Sequence, residues 1–477
     1  MIRMSNHLKM KEYIIQVIGK LSGYRDLNIL VSGNAIRAKL VSEALKKSTL
    51  NNSEIVFYVP ESLVTQVTDD PHEAASYIRN HRSLEKIFQE KIRENGLLEE
   101  DFKVRIVKSA GLYIEENQKY RIHFKNDLNS IITYLFLDLL ELGDANIIAD
   151  VSSGQNFYVV ALLEALRHLL VYRKLENIFC EHKPKFTIST ITPPPPTGAK
   201  EFPLEPQPVD LFEIDVKVFF EYPFKDTSKQ GGKISVSLGD YISKTQNDHV
   251  RSAFIKELND KFGDEFNDKV KELLRVCKLA FNALKHNAPL CFYHKHIIDL
   301  SRASAEDALT LLKTIIEYIE SKKRISVEEY GRLVKVNRIL ISRPHMINTF
   351  LTIALFESLK KRLSSLAARA CPTLKELEEE FEKLYASLNL QLNLYFLSRE
   401  TSSLRRVAES LKEGEERPYA ELLKDRPGKP QDPKRNFFAH AGLTYDEILV
   451  KKDNNEIRIR YREDCYENIE KYLTDLN

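Results

Sequence analysis

Along the first 225 residues, short β-branched runs alternate with longer stretches whose apolar side chains recur every three to four positions. The run NILVS at 28–32 reads as a strand, a Gly33-Asn34 turn follows it, and 35–47 has helical spacing. Residues 55–59 and 104–107 read as further strands, separated by a long polar helix over 72–95 that ends at Gly96. A helical pattern over 126–142 stops at Gly143, where a glycine ends a helix most easily. A buried strand at 146–151 then leads through the tight turn Ser152-Ser153-Gly154-Gln155-Asn156 into a helix over 157–175. Strands at 186–192 and 211–222 close this part. Alternating strands and helices predict a parallel, doubly wound, Rossmann-like sheet.

The prolines at 193–196, with Pro203, Pro206 and Pro208, mark an extended connection, because proline lacks the N–H donor and fixes φ. The strand-like runs 211–222 and 231–238 flank a polar loop at 225–230 and read as a projecting hairpin. From residue 247 the period changes to 3.6: the stretches 250–286, 303–322, 327–338, 346–370, 373–397 and 402–413 all read as helices. The expected architecture is therefore α/β plus all-α. It divides into an α/β domain (1–225), a hairpin and helical linker (226–345) and a helical domain (346–477).

Charge changes the picture little: 71 basic against 69 acidic residues give a net charge of +2 over 477 residues, so any polyanion site must be local. Five scattered cysteines argue against a disulfide-stapled module. The start MIRMSNHLKMKEY has no apolar signal core. No uncharged apolar stretch reaches the ~18–20 residues of a membrane span. These features point to a soluble cytoplasmic protein with no membrane partner.

Two turns have the composition of ligand loops at the carboxyl ends of parallel strands: Ser32-Gly33-Asn34 and Ser152-Ser153-Gly154-Gln155-Asn156. Neither carries G-x-G-x-x-G or a Walker A ending, so dinucleotide oxidoreduction and ordinary nucleotide hydrolysis lose support. Such turns also serve simply as helix caps. The sharpest local feature is Arg435-Asn436-Phe437-Phe438-Ala439-His440-Ala441-Gly442, after a proline- and charge-rich loop at 424–434. A helix is expected to start near 433–435, with Phe437 and Phe438 anchoring it. A guanidinium grips a phosphate through paired N–H bonds, a histidine moves protons near neutrality, and Asn436 can orient the phosphate as a neutral donor. Five positions place Arg435 and His440 ~140° apart on a helix, so they share a phosphate only across a groove or with a second copy opposite. A second Arg–His spacing, Arg338 and His345, carries Pro344 and lacks that flanking context. The segment Cys291-Phe292-Tyr293-His294-Lys295-His296 lacks a second ligand pair at metal spacing and reads as packing, so no metal site is assigned. Arg399, Arg405 and Arg406 either guide RNA or pair with glutamates such as Glu400 and Glu409, and the acidic run 376–380 reads as a solvated helix face.

The combination of an α/β half with these turns and a helical half ending in R-N-F-F-A-H-A-G resembles the CRISPR-associated CARF–HEPN ribonucleases of type III systems, the Csx family. The stretch Asp150-Val151-Ser152-Ser153-Gly154-Gln155-Asn156 resembles the D-x-[ST]-x-G-x-N turn of CARF domains. The resemblance implies a Rossmann-like sensor for a cyclic oligoadenylate, with Ser32, Gly33, Asn34 and Ser152 to Asn156 as ligand loops. It also implies a HEPN nuclease in which Arg435 and His440 match the R-x4-6-H motif and Asn436 the polar residue after the arginine. The expected activity is a metal-independent endoribonuclease on single-stranded RNA, working through 2′-OH attack in antiviral defence. It would be switched on by a ring, of four adenylates by preference, and would need no other cofactor. The expected assembly is a homodimer or a higher form. The alternative is a ligand-responsive regulator that binds nucleic acid without cutting it, with residues 327–343 as a helix-turn-helix. A nucleotidyl-modifying toxin on a HEPN-like fold is a weaker third reading.

Overall fold

The computed structural model describes residues 10–476, apart from 49–51, 99, 115–119, 154, 181–186, 192–206, 209–210, 225–233, 329, 331 and 424–430. The sheet expected from the alternating pattern is present. Strand β1 (Lys11–Val17) sits at its centre, where the sequence pattern had suggested none. The chain next forms a two-stranded ribbon, β2 (Leu27–Val31) and β3 (Asn34–Ala38), and helix α1 (Val41–Ser48). Strand β4 (Glu54–Pro60), helices α2 (Pro71–Arg79) and α3 (His81–Glu94) and strand β5 (Phe102–Val107) follow. The polar helix read over 72–95 is thus two helices, split where the Asn80 side chain caps the second by accepting from Ser83 N–H.

A short pair, β6 (Gly111–Tyr113) and β7 (Arg121–Lys125), leads to α4 (Leu128–Leu140), β8 (Ala145–Asp150) and α5 (Asn156–Glu176). Strands β9 (Ile188–Ile191), β10 (Gln207–Pro208) and β11 (Leu211–Glu213) complete the α/β part. The main sheet runs β11-β9-β8-β1-β4-β5, parallel except for β11. The chain builds outward from β1 to β5, then returns to add β8 on the other side, so its reversal of strand order falls between β1 and β8. The expected hairpin partner of 211–222 is not formed by the described residues: β11 pairs with β9 instead, and the loop 225–230 lies outside them, as do the prolines at 193–196.

Strand alternation divides the core. Ile14, Ile55, Phe57 and Val59 face α1, α2 and α3, while Ile15, Val17, Val56 and Tyr58 face α4 and α5. The second cluster does not stop at those helices. It continues into the helical half, where α5 packs along α9 (Arg343–Leu363) and Phe136 meets Phe350 edge-on at 5.6 Å. The two halves share one core.

The helical half contains α6 (Asp248–Glu265), a π-helical turn at Phe266–Lys271, α7 (Glu272–Lys285) and α8 (Ala305–Ser321) before α9. Helices α10 (Leu374–Ser387) and α11 (Gln391–Ala408) come after it. The terminal part holds strand β14 (Glu416–Pro418), the single turn α12 (Tyr419–Leu422), α13 (Pro433–Ala439), the hairpin β15 (Ile448–Asp453) and β16 (Glu456–Tyr461), and α14 (Tyr466–Thr474). The C-terminal region is thus predominantly helical, with a small antiparallel sheet β14-β15-β16 that the helical reading did not foresee. Among the described residues no helix is long and apolar enough to cross a membrane.

One expected helix is wrong. In place of 327–338 as a helix there are two antiparallel strands, β12 (Arg324–Val327) and β13 (Leu333–Asn337). Alternation of Leu333, Val334, Lys335 and Val336 gives the period of a strand, with Val334 and Val336 buried. Strand β13 runs parallel beside β7, so the linker returns to the α/β part. The next residue, Arg338, is buried with its Nη2 2.5 Å from Glu61 Oε1 and its Nε 3.2 Å from Glu320 Oε2 on α8. His81 Nε2 also meets Glu61, at 2.6 Å. Burial pushes the Glu320 carboxyl up, but Arg338, Lys108 and Lys323 outweigh it and hold the group at about 2.

A carboxyl depressed from its unfolded value of ~4.3 adds stability above that pH and loses it as the pH falls toward about 2. We predict that Arg338→Met, which removes the buried cation shared by both carboxylates, lowers the unfolding free energy at pH 7 by about 3–5 kcal/mol. The variant should also lose the wild type's acid sensitivity over that window. Urea unfolding at pH 7 and pH 3 reads both, and a wild-type midpoint at pH 7 would contradict the account.

Candidate functional site

At the carboxyl ends of β1 and β8, Gln16 and Asp150 are register partners. Asp150 is fully buried and accepts from Ser152 N–H (2.9 Å), Ser152 Oγ–H (2.5 Å) and Ser42 N–H at the start of α1 (3.2 Å). Burial raises its carboxyl above the ordinary value, against the pull of those donors. Gln16 donates to Ser153 Oγ (2.5 Å) and accepts from Ser42 Oγ–H (2.6 Å). Tyr24 Oη lies 3.3 Å from Ser153 Oγ and accepts from Gly19 N–H. Ser152 and Ser153 therefore hold the turn in shape, while Gln155 and Asn156 are exposed. Gln155 sits at the N-cap of α5 without a side-chain hydrogen bond to it. The first N–H groups of a 21-residue helix thus open onto the strand-order reversal, the place where such sheets take ligands. Gly154 lies outside the described residues.

The other expected loop is built differently. Ser32 and Gly33 have φ of 49° and 85° and form the two-residue turn of the β2–β3 hairpin, which asks for positive φ at both positions. Asn34 opens β3 rather than a helix. The expected strand-turn-helix at Ser32-Gly33-Asn34 is thereby corrected. These three residues are exposed at the tip of a separate sheet, and the described residues show no hydrogen bond from them to the Ser152 turn. The loop after β1, with Gly19 and Tyr24, takes the place at the reversal. The run Tyr13-Ile14-Ile15-Gln16-Val17-Ile18 followed by Gly19 is the signal that marks it.

In the helical half, α13 starts as expected. Asp432 caps it by accepting from Arg435 N–H at 2.9 Å, and Pro433 occupies the first turn. Phe437 is fully buried against Tyr461 and Tyr472, and Phe438 packs half-buried on His286. Arg435 is exposed, and among the described residues nothing pairs with its guanidinium. Asn436 is half-buried. His440 closes the helix. Its Nδ1 lies 3.1 Å from Oε2 of Glu400, on α11, and its side chain remains 42% exposed. Glu400 is the residue the spacing argument missed, because forty positions separate it from His440.

The turn after His440 is forced by Ala441 and Gly442, with φ of 54° and 68°. Gly442 N–H donates to Phe437 O at 2.8 Å, and Tyr461 Oη–H donates to Gly442 O at 2.9 Å. A Cβ at Gly442 would sit 2.8 Å from Tyr461 Oη and 3.2 Å from Ala288.

The remaining motifs make contacts within the chain. Arg338 is the buried ion above, and His345 Nδ1 meets Ser342 Oγ at 2.7 Å at the start of α9. His294 accepts from Tyr461 N–H, lies against Tyr466 Oη, and is pushed by burial down to about 4. Among the described residues no group of three or more His, Cys, Asp or Glu is placed to hold a metal. Arg399 pairs with Glu400, and Arg405 with Glu378. Glu380 pairs with Arg362, so the acidic run of α10 binds its neighbours rather than only facing water.

A Rossmann-like sheet with an open helix N-terminus, sharing a core with a helical half that presents an arginine and a carboxylate-bound histidine, defines a two-domain sensor–effector protein. Residues 13–189 match the CARF-domain model of CRISPR system endoribonuclease Csx1, and residues 390–463 match that enzyme's HEPN-domain model. Together the matches span just over half of the chain, which belongs to the CARF–HEPN family of CRISPR endoribonucleases. No curated protein matches it.

We predict that Gly442→Ala destabilises the protein by about 1–3 kcal/mol, through left-handed strain and the clash with Tyr461. Tyr461→Phe in the same chain should recover part of that loss. Thermal unfolding of the two single variants and the double measures the coupling, and strictly additive effects would contradict the contact.

Proposed function

We propose that the chain is a cyclic oligoadenylate-activated, metal-independent endoribonuclease of type III CRISPR defence, acting on single-stranded RNA. Residues 1–225 form the sensor part, 226–345 the connection, and 346–477 the nuclease part. The observation that carries this reading is His440, half-open to solvent and held by Glu400, on the same short helix as an exposed Arg435 that no described residue pairs, all inside the HEPN match.

Arg435 neutralises the scissile phosphate and Asn436 donates to it. His440 takes the proton of the RNA 2′-OH as that oxygen attacks phosphorus and the bond to the 5′-oxygen breaks. A proton then goes to that 5′-oxygen from the same group or from its counterpart in a second copy. The nucleophile belongs to RNA, so DNA is inert. The homodimer supplies both walls of the groove, which accounts for the angle between the two side chains around α13.

The activator sits over β1 and β8. A ring of four adenylates has pseudo-two-fold symmetry and suits identical turns from two copies. The α5 N-terminus with Gln155 and Asn156 takes its phosphates, framed by Ser152 and Ser153 and by the loop after β1 with Tyr24. Because α5 begins at this turn and packs on α9, a ligand that favours one setting of α5 biases the helical half. The helix-turn-helix that the regulator alternative placed at 327–343 is not formed, since Arg324–Val327 and Leu333–Asn337 pair as antiparallel strands.

Two outcomes are predicted. His440→Ala should reduce ring-dependent RNA cleavage in EDTA by at least about 10²–10⁴-fold while ring binding stays unchanged, as read by gel assay and calorimetry; cleavage surviving in the variant would remove the assignment. Asn156→Asp should weaken ring binding at least tenfold by setting a charge against the phosphates. The same variant should stabilise the protein slightly, by about 0.3–1 kcal/mol, through the helix dipole. Unchanged affinity would place the ring elsewhere.

A further inference from the structure

We infer that Glu400 is a positioning residue for His440: its carboxylate holds the imidazole with the proton on Nδ1 and leaves Nε2 as the nitrogen that meets RNA. The inference rests on the reading of His440 as the proton-transfer group and adds which nitrogen works and what holds it there.

A carboxylate only accepts, so the contact between Glu400 Oε2 and Nδ1 at 3.1 Å requires Nδ1 to carry hydrogen. A neutral ring with its proton on Nδ1 has its lone pair on Nε2. Left unrestrained, neutral histidine favours the opposite tautomer, whose free lone pair would here point at Glu400. The carboxylate therefore does chemical work that packing alone does not.

Glu400 is itself fixed. Its side chain is 12% exposed, and its other oxygen accepts from Arg399 Nη2 at 2.8 Å and Nε at 3.1 Å. The Arg399 guanidinium lies over the Phe396 ring at 5.2 Å. Arg399 is its neighbour on the same helix, so this pair ties no two elements together; it fixes the direction in which Oε2 points. On the histidine side, the backbone is pinned by His440 N–H donating to Asn436 O (3.2 Å) and by Leu443 N–H donating to His440 O (2.8 Å). Both ends of the Glu400–His440 contact are therefore held, while the ring keeps one edge in solvent. The arrangement is a base oriented by a third group, as in carboxylate–histidine pairs generally.

A purely structural role, in which the pair merely staples α13 to α11, would leave the tautomer of a well-folded variant irrelevant to rate. The test uses the full chain labelled with ¹⁵N-histidine, with the His440 signal identified by its loss in His440→Ala. In the wild type the neutral ring is expected as the Nδ1–H tautomer, and in Glu400→Ala as Nε2–H. With a four-adenylate ring and labelled RNA, Glu400→Ala should lower kcat about 10–100-fold, less than the ~10²–10⁴-fold that the general acid–base group itself supplies, with KM changed less than about twofold. Glu400→Asp should restore part of kcat, and the isosteric Glu400→Gln, which keeps the packing, should show a kcat loss without a loss of thermal stability. An Nε2–H tautomer in the wild type, or a loss confined to KM or to folding, overturns the inference. The tautomer is read without RNA or ring. A wild type that shows Nδ1–H yet cleaves no RNA would therefore refute the nuclease reading alone.

Discussion

The structure depends on burying α5 on both sides. One face of the helix completes the core of the parallel sheet, and the other packs along α9, so sensor and effector cannot separate without exposing apolar surface. The buried guanidinium of Arg338 reinforces this at a second point. It requires Glu61 after β4, Glu320 on α8 and the β12–β13 hairpin to arrive at one point. A hydrogen-bonded chain joins the two contacts: Tyr158 in the first turn of α5 donates to Ser109 Oγ (2.7 Å), and Ser109 N–H donates to Glu61 Oε2 (3.0 Å). The turn before α5, the sheet and α8 are thus physically contiguous.

At the other end of the molecule the same economy of means applies. A seven-residue helix is too short to be stable alone. It is held by Asp432 at its start, by Phe437 in the core, and by the turn of Ala441 and Gly442 against Tyr461. Those constraints decide where His440 and Arg435 project, one bound to a carboxylate and one with no partner among the described residues.

Much of this was legible in the sequence where local rules act alone. The buried strand before Ser152, the stop at Gly143, the start of α13 near Pro433 and the anchoring role of Phe437 follow from patterning and proline placement. The failures share a cause. Strand β1 is buried on both faces and carries no alternation, and a Ser-Gly pair serves a hairpin as well as a strand–helix turn, so only the register of the following segment distinguishes them. Residues 333–337 alternate as a strand, but a short window also satisfies a helical count. Glu400 was legible as a partner of Arg399, which it is on one oxygen. That its second oxygen meets His440 depends on the crossing of α11 and α13, which no local rule encodes.

The account stands or falls on the RNA itself supplying the attacking oxygen while His440 moves the proton. The most direct measurement is the mass of the new 3′ end when single-stranded RNA is cut by the full chain with a four-adenylate ring in EDTA. A 2′,3′-cyclic phosphate facing a 5′-hydroxyl is the result expected. A 3′-hydroxyl facing a 5′-phosphate would mean that water attacked, and would contradict the mechanism.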